Sequence, residues 1–147
     1  MTRPKPNARE DYRVFRTMTT RWSDNDIYGH MNNVVHYLLF DTAIDRLLVD
    51  KGILSRAVRD TIFVVAETGC AYFAEMAYPD EVTAGVRVAD LGSSSVRYEI
   101  GLFRNDENTA SAQGHFVHVH VDAVSRRPMP LKPEHREVLE ALRVHSV

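Results

Sequence analysis

The chain has 147 residues, 44% of them hydrophobic and 26% charged, with a formal net charge of -2. That length and balance describe one globular domain large enough to bury a core. No apolar run reaches the ~18 residues of a membrane span, and the chain lacks the basic excess of a nucleic-acid binder. Cys70 is the single cysteine, which excludes an intrachain disulfide framework and fits a reducing cytoplasm.

The first residues, Met1-Thr2-Arg3-Pro4-Lys5-Pro6, are basic, but no apolar stretch of a signal peptide follows them. Residues 1–10 are therefore expected to form a flexible tail, and 11–147 the domain. Tyr12–Trp22 predicts a strand. A polar loop, Ser23–Asn32, follows, and then dense apolar residues from Val34 to Leu48 predict a core helix over Asn33–Asp50. Asn32 or Asn33 suits its N-cap and Gly52 its C-terminal stop, with His36, Asp41, Asp45, Arg46 and Asp50 on its polar side.

Beyond a connection at Ile53–Asp60 the pattern turns to strands: Thr61–Met76, Glu81–Asp90, Ser95–Arg104 and Ala110–Asp122. They are separated by turn signals at Tyr78-Pro79-Asp80, Leu91-Gly92-Ser93 and Asn105–Asn108. Pro133 opens a closing helix that runs to about Val144. One strand, a long helix, four strands joined by short turns and a short helix make an α+β domain: an antiparallel sheet with the helix across one face. Cys70, in an apolar strand, reads as an inert core thiol.

The chemistry concentrates between Arg21 and Tyr37. Asp24 and Asp26 precede a helix start, where free backbone N–H groups attract negative charge. A carboxylate facing such amides can attack or activate water while the amides hold an oxyanion. The same residues also serve as ordinary turn and capping groups, the role favoured for Asp24. His30 and Asn32 can position water, bond a carbonyl or hold Asp26. His118 and His120 share one strand face with Asp122, a geometry open to zinc, although a packed histidine pair is the default reading. Asp24-Asn25-Asp26 is too thin for magnesium. No metal and no cofactor is expected.

In order along the chain, Asp24-Asn25-Asp26, Gly29-His30, Asn32-Asn33, Tyr72, Tyr78-Pro79-Asp80, Leu91–Ser95 and the Arg127-Pro128 exit resemble the hotdog-fold acyl-CoA thioesterases of the 4-hydroxybenzoyl-CoA thioesterase type. The resemblance covers roughly residues 12–143. It implies a long central helix wrapped by a curved sheet and a homodimer, with tetramers also open. Active sites would lie at the dimer interface, and the substrate would be a thioester of coenzyme A or of acyl carrier protein. It puts the catalytic carboxylate at Asp26 and the carbonyl-polarising amide at Asn33. His30 and Asn32 fall beside these, and the Gly92-Ser93-Ser94-Ser95 hairpin falls near the nucleotide end of coenzyme A. The hairpin departs from family members that carry Arg or Lys there, so either its backbone N–H groups and hydroxyls meet the phosphates, or Arg97, Arg126, Arg127 or Lys132 do, within the subunit or across the dimer. A non-catalytic acyl-binding module and a hydratase or dehydratase on the same architecture remain open as alternatives.

Overall fold

The computed structural model describes residues 4–144. Five strands, β1 (Val14–Thr19), β2 (Thr61–Tyr72), β3 (Glu81–Leu91), β4 (Ser95–Arg104) and β5 (Ala112–Asp122), form one antiparallel sheet in the order β1-β3-β4-β5-β2. Helix α1 (Asn33–Asp50) packs on one face, and α2 (Pro133–Glu140) closes the far end. This is the hotdog arrangement that the resemblance implied.

The core follows from two periodicities. On β4 every second residue, Val96, Tyr98, Ile100 and Leu102, is wholly buried, as the pleat requires. On α1 the buried set is Val35, His36, Leu39, Phe40, Ala43, Ile44, Leu47 and Leu48, adjacent pairs that recur every three or four residues along one broad stripe. Full burial of each large aliphatic or aromatic side chain contributes ~1.5–3 kcal/mol. Phe40 meets Phe116 edge-on at 6.3 Å. It can come that close because β5 carries Gly114 beneath it: a Cβ there would lie 2.4 Å from the Phe40 ring. Asn32 caps the start of α1, and Gly52, at φ +73°, ends it.

Several boundaries differ from the sequence expectation. Residues 7–10 are tied down rather than free. The Asn7 amide donates to the Gln113 side chain at 2.6 Å, its carbonyl accepts from Ala110 at 2.9 Å, and Arg9 holds the carbonyls of Asn105 and Glu107. β1 is shorter than Tyr12–Trp22, because Trp22–Asp24 turns as a 3₁₀ segment. β2 stops at Tyr72, not Met76, since the Phe73 and Ala74 amides both bend to the Ser111 carbonyl. α2 ends at Glu140, short of Val144. His36, expected on the polar side of α1, is buried.

His118 is only 6% exposed, and burial lowers its pKa to about 4. Burial also lowers that of His36. An unfolded histidine titrates near 6.5, so between the folded and unfolded values the unfolded chain binds more protons. The contribution of the neutral imidazoles is therefore complete above about pH 6.5 and is lost as pH falls toward about 4. Denaturant unfolding at pH 7 and pH 4.5 should show His118→Leu losing less stability across that interval than the parent chain. Equal losses would mean that His118 titrates normally in the fold.

Candidate active site

The loop between β1 and α1 is anchored by Asp24, whose buried carboxylate accepts from the Arg21 amide at 2.8 Å and from its guanidinium at 2.9 Å and 3.2 Å. The Asp24 carbonyl accepts from the Asn32 amide at 2.8 Å, so one residue holds both ends of the loop. Inside it, the Asp26 amide donates to the His30 carbonyl at 2.7 Å. Asp26 Oδ1 accepts from the Tyr28 and His30 amides at 2.8 Å and 3.3 Å. Gly29 turns this loop at φ +77°, a left-handed conformation in which glycine has no Cβ to strain. Two backbone donors thus fix the direction of the Asp26 carboxylate.

At the helix start, Asn32 Oδ1 accepts from the Val34 amide at 3.1 Å, and the Asn32 carbonyl accepts from Val35 at 2.8 Å. Among the described residues the Asn33 amide has no hydrogen-bond partner. It is one of the orphan donors of a helix N-terminus and carries the positive end of the helix dipole. His36 Nδ1 lies 3.3 Å from the Asn32 carbonyl, which can only accept, so Nδ1 carries the proton and Nε2 is left as an acceptor. The His36 ring packs edge-on against Tyr72 at 4.9 Å.

Asp26, His30, Asn32, Asn33 and His36 line one open cavity of about 550 Å³, closed opposite by Tyr72 and the strap from Phe73 to Met76. His30 Nε2 reaches Glu75 across its mouth at 3.0 Å. The strap is held by the bend at Ser111 and by the Met31 amide, which donates to the Met76 carbonyl at 2.7 Å. One cavity thus brings together a carboxylate residue, a helix-start residue with a free amide and an imidazole whose pKa burial lowers.

The remaining sequence candidates lie elsewhere. The Gly92–Ser95 hairpin turns its carbonyls inward: Gly92 and Ser93 to Arg136, Ser93 also to Leu131, and Ser94 to His120. Arg97 sits in a different depression, ion-paired to Glu67 at 3.6 Å and Glu99 at 3.8 Å. Within one chain neither reaches the Asp26 cavity. Asp122 accepts from Val124 and Ser125 in a turn, and His120 is fixed by backbone carbonyls and Thr61. Cys70 is half-buried, its thiol pushed up to about 11 by burial, which keeps it protonated and unreactive at neutral pH. Sequence reasoning missed His36 and Glu75 as cavity residues. His36 lies four residues after the cap Asn32, so helical spacing places it on the same face, whereas nothing local marks Glu75.

The model of the thioesterase-like superfamily matches residues 20–142, taking in the Asp26 loop, α1 and the chain onward through α2. This chain belongs to the thioesterase-like superfamily. Within the fold, the PA5185 protein from Pseudomonas aeruginosa strain PAO1 is 44% identical; the match covers 97% of this chain and 99% of that one with a TM-score of 0.92. YsmA of Bacillus subtilis (strain 168), an uncharacterized protein, is 27% identical over 136 residues, 92% of this chain and 91% of its own. Slr0204 from Synechocystis, a 1,4-dihydroxy-2-naphthoyl-CoA thioesterase, is 13% identical with a TM-score of 0.79 over 87% of this chain and 96% of that one, a likeness of fold alone. Membership of the superfamily supports a thioester hydrolase as the general class. No helix among the described residues is long and apolar enough to cross a membrane.

The two acids of the loop should separate in a stability measurement. Asp24→Ala strands the donors of Arg21 and is expected to cost ~1–3 kcal/mol. Asp26→Asn keeps an oxygen for Tyr28 and His30 and should stay within ~0.5 kcal/mol of the parent. Urea midpoints of the two variants check this, and a larger loss for Asp26→Asn would reverse their assigned roles.

Proposed function

We propose that the chain hydrolyses acyl thioesters of coenzyme A or of acyl carrier protein, working as a homodimer, with Asp26 as the nucleophile or general base. One observation supports it above the others: the oriented Asp26 carboxylate and the partnerless Asn33 amide line the same cavity.

The electron count is simple. Either the carboxylate or a water that it deprotonates adds to the thioester carbon, and the carbonyl pair moves onto oxygen. The Asn33 N–H and the dipole of α1 stabilise that oxyanion. On collapse the C–S bond breaks and the thiolate leaves, taking up the proton that attacking water gave to the carboxylate. If the carboxylate attacks directly, water then cleaves the anhydride so formed and returns free Asp26. His30 and Asn32 hold this geometry through the loop and the cap, and His36 Nε2 offers an acceptor for a water. Gly92–Ser95 and Arg97 belong to the proposal only as nucleotide contacts made from a neighbouring subunit.

Asp26→Asn should lower kcat by at least ~10²-fold, about 3 kcal/mol of barrier. The readout is thiol release over a panel of short, long and aromatic acyl-CoAs. Full activity in that variant would remove the proposal, and binding of acyl-CoA with no thiol release in the parent would favour an acyl-binding module instead.

A further inference from the structure

A second cavity of about 550 Å³ lies between the middle of α1, the connection after it and the start of β2. Leu48, Leu54, Ile62 and Phe63 give it apolar walls, and His118 of β5 lies among them. The two inward histidines of β5 differ sharply. His120 has both nitrogens occupied: Nδ1 by the Met129 and Pro130 carbonyls, and Nε2 by Thr61 at 2.8 Å. His118 is equally buried, and its Nδ1 is sealed with no hydrogen-bond partner among the described residues. Its ring is held by Tyr98 at 5.4 Å and Phe63 at 5.9 Å.

A neutral imidazole must carry one N–H, and a sealed N–H without an acceptor is rarer and costlier than a sealed lone pair. The proton of His118 therefore belongs on Nε2, the nitrogen left to the cavity, as an uncharged donor. Such a donor suits a hydroxyl or oxo group. It offers no ion pair to a carboxylate, and the cavity wall is charge-balanced, with Asp41 and Asp45 standing against Arg56 and Arg59 and Arg56 already paired to Asp45 at 2.9 Å.

Strand symmetry connects this cavity to Asp26. β2 is an edge strand of twelve residues with one charged side chain, Glu67, and no Lys or Pro to guard it. α1, whose His36 meets Tyr72 at the end of β2, exposes Val34 (68%) and Leu38 (51%). A second copy of the chain pairing antiparallel along this edge about a two-fold sets residues 61–65 of one strand beside 68–72 of the other. The end of β2 that bounds the Asp26 cavity then meets the end that bounds the His118 cavity.

We infer that the Phe63–His118 cavity of one subunit receives the acyl group of a thioester held at Asp26 of the other, and that His118 selects acyl groups bearing an uncharged oxygen. This rests on the hydrolase reading of Asp26 and adds a specificity residue to it.

The test uses matched pairs: hexanoyl- and 6-hydroxyhexanoyl-CoA, octanoyl- and 8-hydroxyoctanoyl-CoA, benzoyl- and 4-hydroxybenzoyl-CoA. In at least one pair the parent protein should favour the oxygenated member by roughly tenfold or more in kcat/KM. His118→Leu should abolish that ratio, and His118→Gln, which keeps a neutral N–H donor, should restore part of it. No preference in any pair, or a preference that survives His118→Leu, overturns the assignment.

Subunit mixing tests the exchange across the two-fold. Hybrids of Asp26→Asn and His118→Leu chains regain the preference only if one subunit's Asp26 works with the other's His118; no recovery, or a monomer in sedimentation, overturns that part. If the parent cleaves no thioester at all, the Asp26 reading falls by itself. The same pairs in equilibrium binding to parent and His118→Leu protein then decide the cavity by the same ratio.

Discussion

The Asp24 carboxylate, clamped to Arg21 while its own carbonyl holds Asn32, is the contact on which the site's geometry depends. It joins the end of the β1 segment to the cap of α1 and fixes how far apart they stand. Asp26, two residues on, inherits its place from that clamp and its direction from the Tyr28 and His30 amides. The acid that orders the loop is buried and pinned, while the acid that faces the cavity is partly open. One charge gives structure, and under the proposed function the other is the one left for chemistry. The division is physically sensible, because a carboxylate saturated with donors makes a poor nucleophile.

The helix contributes at both scales. Its apolar stripe supplies much of the core, and its first turn supplies an electropositive end to the cavity that Asp26 also lines. Rigid packing of Phe40, Ile44 and Leu48 therefore holds the Asn33 amide in position as well as stabilising the fold. The strap from Phe73 to Met76 performs the matching service on the other wall, since its bend at Ser111 turns the chain away from the sheet and over the cavity.

Much of this was legible locally. The limits of α1 followed from an Asn cap and a Gly52 stop, both properties of a few adjacent residues. β4 was legible because Val96, Tyr98, Ile100 and Leu102 alternate with Ser95, Arg97, Glu99 and Gly101 along most of its length. The Asp26 layout was legible for the same reason: carboxylate, turn and helix start are neighbours in the chain. What escaped were features decided by distant partners. β2 ends early because of a carbonyl at position 111, although Phe73 and Met76 would suit a strand. His36 is in register with Phe40, Ala43 and Leu47 on the buried stripe, a signal its polar side chain masked, and Tyr72 of β2 packs against it. Residues 7–10 are ordered by Gln113 and Ala110, across the whole length of the chain. The Gly92–Ser95 hairpin and Arg97 were grouped with the site by resemblance, and resemblance carries no information on which sheet face or subunit they serve.

The glycine beneath Phe40 has a consequence far from where it sits. A helix resting on a sheet behaves as a stiff beam, and the missing methyl at position 114 sets the height of its bearing point. Any side chain there would prop the beam up near its middle and shift the angle of both ends. The rim of the Asp26 cavity, which includes the first turn of that beam, would move although nothing touching it had been altered.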